Sequence, residues 1–330
     1  MKFSLFLVLI LLLGIAVCPF CAAPLAKLLP ATVSPQDGGI PQSLTLQRTA
    51  DSRRITVSWS EYLTGVLAAE IAPDTEPEAL KAQAVAAHTY ALFRLQRGDT
   101  LTDDPETCQG YWSDEERRAA WGENYAQRQA RLSQAADSVV NEVLLYDGAP
   151  ILAAYHALSP GKTESAATVW GKKLAYLPSV AADGDLLSPQ LETTLTLTQA
   201  EFLEQSAKLD GANLKRTARK WVGKATKTAS GFVQKIRIGD AAFSGMQVRA
   251  AFDLPSPFFT LTQSDSTFTF VVRGRGHGVG MSQNSADFMA RQGSDYKEIL
   301  AHFYPGAVLA AGSEPAKSKP PVKPAVCSAP

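Results

Sequence analysis

Glu70 is the residue whose position most invites proton chemistry. Leu63, Val66, Leu67 and Glu70 recur at i, i+3, i+4 and i+7, which sets a carboxyl on the apolar stripe of a helix. Burial on that stripe disfavours the ionised form, and so does the negative end of the macrodipole in the last turn. The carboxyl is therefore expected to titrate above the ordinary range. An acid still protonated near neutrality is what general-acid cleavage of a glycosidic bond needs. Periodicity leaves a second reading open, in which Glu70 frays into solvent at the helix end. On the next helix Lys81, Val85, His88 and Leu92 share one face. Lys81 is equally readable as a solvated charge, and His88 as a satisfied core histidine.

The run Gly274-Arg275-Gly276-His277-Gly278-Val279-Gly280-Met281-Ser282-Gln283 is the second site candidate. Glycines at alternate positions make poor helix or strand, but they permit positive φ and close approach of backbone to a ligand. The spacing matches neither phosphate-loop pattern. The expectation is a ligand-facing loop with His277, Ser282 and Gln283 lining the same cleft as Glu70. A structural turn is the alternative, and Ser282 is equally placed to cap the helix that follows.

The elements around these residues follow from local signals. Ser58-x-x-Glu61 and Thr75-x-x-Glu78 read as capping boxes, opening helices near Trp59 and Pro77 that end before Pro73 and near Gly98. Residues 114–135 read as helical. Asp147-Gly148 predicts a hairpin with arms Glu142–Tyr146 and 150–156. A helix over Gln199–Ser206, a basic stretch over 215–227 and strands over Val233–Ile238 and 246–252 make about 190–250 an inserted subdomain. The β-rich run 267–272 leads into the glycine loop, and helices follow Ser282 and Ser294. The fold class is α+β, a mixed core of helices and antiparallel strands with that smaller insertion.

The 330 residues carry 32 basic and 32 acidic side chains, so net charge gives no argument for nucleic acid. Lys2 and the apolar stretch 3–17 end in Cys21-Ala22-Ala23, the pattern of an export signal over 1–26. An uncleaved anchor is the alternative, and would be the chain's one membrane contact. Residues 27–50 read as a linker, 51–310 as the folded domain and 311–330 as a disordered Pro/Lys-rich tail. The chain is expected outside the cytoplasm: periplasmic, wall-associated or secreted.

Three ordered blocks, "EYLTGVLAAEIAP…EALKAQAVAAHTYAL" (61–92), "YHALSPGKTES" (155–165) and "GRGHGVGMSQ" (274–283), resemble the SpoIID/LytB family over about residues 52–308. The resemblance implies a SpoIID-like fold and a peptidoglycan lytic transglycosylase, with glycan strands as partner. The alternative it carries is a non-catalytic wall-binding enhancer of an N-acetylmuramoyl-L-alanine amidase. Glu70 matches the glutamate of the family's "GVxxxEMP" motif, taken as the catalytic acid. Lys81 matches the lysine of "EALKAQAVAARTYA", whereas the arginine of that motif is His88 here, which puts a fixed cation in doubt. His156, Ser159, Lys162 and Thr163 fall in the block similar to "FHSTSGGxTEN" and are expected to bind substrate with Lys81, His88, His277, Ser282 and Gln283. Some relatives hold zinc through Cys-x4-His-Cys-Gln. Only Cys108 and Gln109 survive in this chain, and one thiolate cannot build a four-ligand site. No metal and no cofactor are expected.

Overall fold

The computed structural model describes residues 43–214 and 220–311. The expected leader at 1–26, residues 27–42 of the expected linker, residues 215–219 of the basic stretch and residues 312–330 of the expected tail lie outside the described residues. The described chain is α+β. Among the described residues no helix is long and apolar enough to cross a membrane.

One helix organises the larger core. Pro77–Gln96 is alanine-rich and almost wholly buried, from Ala79 to Leu92. Small side chains on every face allow neighbours to close in from all sides, which an amphipathic helix would not permit. It packs against helices Trp59–Glu70, Tyr125–Val139, Gln283–Arg291 and Tyr296–Phe303, and against strand Glu142–Tyr146. Its start differs from the expected capping box. Glu76 is the N-cap and makes no side-chain cap bond. The Glu76 N–H instead donates to Asp287 at 2.8 Å, and Glu78 accepts from the Tyr296 N–H at 3.0 Å. Glu78, the acid expected to complete the cap, is thus used to dock the helix Tyr296–Phe303, and the N-cap backbone docks the helix Gln283–Arg291. The Ser58 cap does form, its hydroxyl accepting from the Glu61 N–H at 3.2 Å.

Three further expectations are corrected. Residues 43–47, read within the linker, form a strand. Its alternating Leu44 and Leu46 enter the core, and it pairs with Arg54–Ser58 and Leu101–Thr102. The second arm of the hairpin shrinks to Ala149–Pro150, because buried residues 151–154 turn away and Tyr155–His156 pairs in parallel with Met281–Ser282. Residues 246–252, expected as a strand, lie in a helix, Gly245–Phe252. Ser244 and Gln247 cap it reciprocally, and Val248, Ala251 and Phe252 bury at i, i+3 and i+4. A second hydrophobic cluster forms here. Phe202 stacks on Phe268 with ring centroids 3.9 Å apart, and Trp221, Phe252 and Phe270 close around them. This cluster joins strands Glu192–Thr198, Phe259–Ser264 and Thr267–Arg273 to the sheet of Val222–Lys227, Val233–Ile238 and Ala241–Phe243.

The glycines of the loop pack closely against neighbouring backbone and side chains. A Cβ on Gly274 would lie 2.6 Å from the Leu158 carbonyl, and one on Gly278 2.6 Å from the Phe258 ring. At Gly280, φ is +74° and a Cβ would lie 1.9 Å from the Ala154 carbonyl oxygen. That oxygen also accepts from Met281 N–H and Tyr304 hydroxyl, at 3.1 and 2.8 Å, so it cannot retreat. Gly280→Ala is therefore expected to lose about 3 kcal/mol or more of stability, from combined strain and clash. Urea unfolding checks it; a shift below about 1 kcal/mol contradicts the packing described.

Candidate active site

Glu70 ends the helix Trp59–Glu70, with its carboxyl turned inward and 7% of the residue exposed. The Gly110 N–H donates to Oε1 at 2.6 Å. A side chain at 110 would come within 3.1 Å of that same oxygen and of the Ala69 Cβ, so glycine is what lets the amide reach the acid. Burial pushes the Glu70 pKa up to about 7, against the opposing pull of the Gly110 N–H. The Glu70 carbonyl accepts from Gln283 Nε2 at 3.0 Å, and the same amide reaches Gln83 Oε1 at 3.3 Å. The acid is thereby tied to the glycine-loop side of the molecule through its own backbone.

Glu70 lines a cleft of about 410 Å³. One wall is the chain that leaves the helix, Ala68 to Thr75, with Trp112 and Trp121 beside it. The two indoles lie 6.3 Å apart. Trp112 is set by its backbone, whose N–H donates to the Gly65 carbonyl at 3.1 Å and whose carbonyl accepts from buried Arg117 at 2.7 Å. The lining also holds Ala157, Leu158, Arg275, Gln283, Asn284, Asp287 and Arg291. Asp287 is committed to Arg291 at 2.7 Å and to the Glu76 N–H, whereas Asp74 lies exposed at the rim.

Of the residues singled out in the sequence, Glu70 and Gln283 line this cleft and the others do not. Lys81 pairs with Glu78 at 2.7 Å. Lys162 is exposed elsewhere on the surface. His88 is fully buried, its ring 4.3 Å from that of Trp59 and its Nδ1 3.1 Å from the Glu142 carbonyl. Burial lowers its pKa to about 4, so it is a neutral core residue. Thr163 closes onto Val180, and His156 and His277 are buried with rings 5.8 Å apart. Burial lowers His156 to about 4 and holds His277 well below the ordinary histidine value, so both are neutral. Ser159 and Ser282 both donate to Asp185, a fully buried acid outside the sequence-level candidates. Ser282 also caps the helix Gln283–Arg291, accepting from the Ser285 N–H at 3.3 Å.

The sequence reading therefore missed Gly110, Gln83, Asp185 and Arg275. Arg275 stood in plain view between two glycines of the loop, where the alternating pattern isolates it as the charged side chain. Asp185 carried no such signal. Among the described residues no group of three His, Cys, Asp or Glu side chains could hold a metal ion, and Cys108 is buried, its thiol pKa raised by that burial.

A family model described as "Stage II sporulation protein" (SpoIID) matches residues 49–146. Stage II sporulation protein D of Bacillus subtilis is 34% identical over 279 residues, covering 82% of this chain and 79% of that protein. Stage II sporulation protein D of Bacillus amyloliquefaciens is 32% identical over 275 residues, 81% of this chain and 78% of its own length. An amidase enhancer of Bacillus subtilis is 28% identical over 302 residues, 75% of this chain and 40% of the enhancer.

Two outcomes test this geometry. His88→Arg would bury an unpaired charge beside Trp59, and a large drop in melting temperature is expected; an unchanged midpoint would contradict the core placement. Glu70 titrates near 4.5 when unfolded and near 7 when folded. The folded state therefore holds the extra proton between those values, and the stability from that proton is complete below pH 4.5 and lost as pH rises through 7. The loss is roughly 3 kcal/mol at most. The buried histidines slope the opposite way, so the readout is the difference between wild type and Glu70→Gln. The variant should gain on wild type from pH 4.5 to 8, and parallel stability curves would contradict a buried acid.

Proposed function

The chain belongs to the SpoIID family of stage II sporulation proteins, and from that premise we propose that it is a peptidoglycan lytic transglycosylase with Glu70 as its acid and base. The observation that carries the reading is a buried carboxyl, titrating near 7, at the wall of an open cleft. Protonated Glu70 gives its proton to O4 of N-acetylglucosamine, the oxygen that links that sugar to C1 of N-acetylmuramic acid, and the C1–O4 bond breaks. The resulting Glu70 carboxylate takes the proton of the muramic C6 hydroxyl while O6 bonds to C1. The products are a 1,6-anhydro end and a free O4–H, and Glu70 ends protonated. No water is consumed, so one carboxyl suffices, unlike in the paired-carboxylate hydrolases. Asp287, already engaged by Arg291 and the Glu76 amide, is not needed as a second catalyst. The Gly110 N–H stabilises the carboxylate formed midway, and the indoles of Trp112 and Trp121 offer apolar faces to sugar rings.

A second reading rests on the likeness to the amidase enhancer: binding to the wall in support of a cell-wall amidase, without cleavage. In either case the chain works on the cell wall, outside the cytoplasm.

Glu70→Gln keeps the shape of the acid and its contact with Gly110 but has no proton to give. Cleavage of peptide-free glycan strands is expected to fall by roughly 10²–10⁴-fold or more. For the wild type, kcat/KM should decline above pH 7 as Glu70 loses its proton. Mass analysis should find anhydro ends with wild type and intact strands with the variant. Reducing ends would replace the lyase reading with hydrolysis, and intact strands with wild type would favour the enhancer.

A further inference from the structure

The cleft contains a cation that the proposed chemistry leaves without a task. Arg275 lines it, half-buried, and among the described residues no carboxylate pairs with its guanidinium. The other arginine of the cleft, Arg291, is already matched by Asp287 at 2.7 Å. Nor does Arg275 serve Glu70, whose burial and Gly110 contact account for its behaviour. Its backbone is held rigidly. The Arg275 N–H donates to the Leu158 carbonyl at 2.7 Å, and its own carbonyl accepts from the Leu158 N–H at 3.0 Å. Gly274 and Gly276 on either side, at φ +80° and +100°, press against Leu158 and His156 at distances that exclude a Cβ. The loop thus fixes the Cα of one arginine at the cleft wall and leaves the charged fork unspent.

A guanidinium held so presents two parallel donors, which match a carboxylate bidentately. In the glycan of the proposed substrate the anion at hand is the lactyl carboxylate on every second sugar. It is a free anion where no peptide is attached, and a neutral amide where one is. We propose that Arg275 binds the free lactyl carboxylate of the muramic residue in the cleft, and so is a specificity-determining residue that selects peptide-free stretches of strand. This rests on the cleft being the glycan site. It adds that the choice of strand is made by charge at a single side chain.

The test separates binding from cleavage. Peptide-free strands, labelled at one end, are compared with the same strands after conversion of the lactyl carboxylates to methylamides. Binding is measured to Glu70→Gln protein, with and without Arg275→Gln, by fluorescence anisotropy. Free-carboxylate strands should bind Glu70→Gln roughly 10- to 100-fold more tightly than methylamide strands, as expected of a charge-assisted pair. Arg275→Gln should bring the two to the same level, and Arg275→Lys should restore part of the difference, having the charge without the fork. Equal binding of both strands by Glu70→Gln, a comparison that needs no change at 275, would overturn the proposal. So would a preference that survives Arg275→Gln. Loss of cleavage by wild type with this preference intact would sink only the lyase reading.

Discussion

The glycine-loop side of the cleft depends on one buried acid. Asp185, with no exposed surface, accepts from the Ser159 N–H and hydroxyl at 2.7 Å each and from the Ser282 hydroxyl at 2.7 and 2.8 Å. It also accepts from Ser285 at 2.9 Å and Asn284 at 3.3 Å. Its own N–H donates to the Ser285 hydroxyl at 3.1 Å. An acid buried without partners is strongly disfavoured, and this one is tolerated because donors from two other segments converge on it. The consequence is geometric. Residues 158–159, the turn around 185 and residues 282–285 are held as one body. Gln283 lies between two of the residues bound to Asp185, so its reach to the Glu70 carbonyl inherits that rigidity. Asp185 thus acts through the placement of other residues.

The same economy governs the glycine loop. Its glycines allow the strand pair Tyr155–His156 and Met281–Ser282 to form in parallel, with the loop folded back against residues 154–158. Parallel pairing over two residues adds little by itself. The pair is fixed instead by its surroundings, chiefly Asp185 beneath it and Tyr304, whose hydroxyl anchors the Ala154 carbonyl. The Trp112 part of the lining is built by different means: Arg117, fully buried, spans Glu61 at 2.8 Å and the Trp112 carbonyl at 2.7 Å. Two polar anchors, Asp185 and Arg117, thus hold the segments that line a cleft of mixed apolar and polar residues.

What the sequence made legible follows the range of the forces involved. The 3.6-residue stripe in Trp59–Glu70 placed Glu70 among buried side chains, because helix periodicity is local. The helices at 199–206, 283–291 and 296–303 were legible for the same reason. The helix at 245–252 was open to the same reading, through Ser244 and Gln247. Thr75 and Glu78 carried a valid local signal that lost to a tertiary one, since Asp287 and Tyr296 sit more than two hundred residues away. Asp185 was illegible because nothing in "AADGDLL" marks an acid whose donors come from residues 159 and 282–285. The histidines misled for a related reason. In a sequence a histidine suggests function by its chemistry, but His88, His156 and His277 are buried and neutral, and their chemistry is used to pack.

That neutrality bears on how the cleft keeps a protonated acid and a cation together. A guanidinium against Glu70 would hold its carboxyl ionised, as an opposite charge within a few ångströms does. The arrangement avoids this by giving Glu70 only an uncharged donor, the Gly110 N–H, and by filling the core behind the helix with a histidine too buried to carry charge at neutral pH. Arg275 is not among the groups that shift Glu70, and it sits on a loop whose backbone bonds with Leu158 fix its Cα. On the proposed reading, this arrangement lets one small cleft bind an anion with Arg275 while Glu70 keeps its proton. Replacing His88 by a residue of fixed charge would bring a cation into the core behind the acid's helix, and would have to be matched by a new partner there.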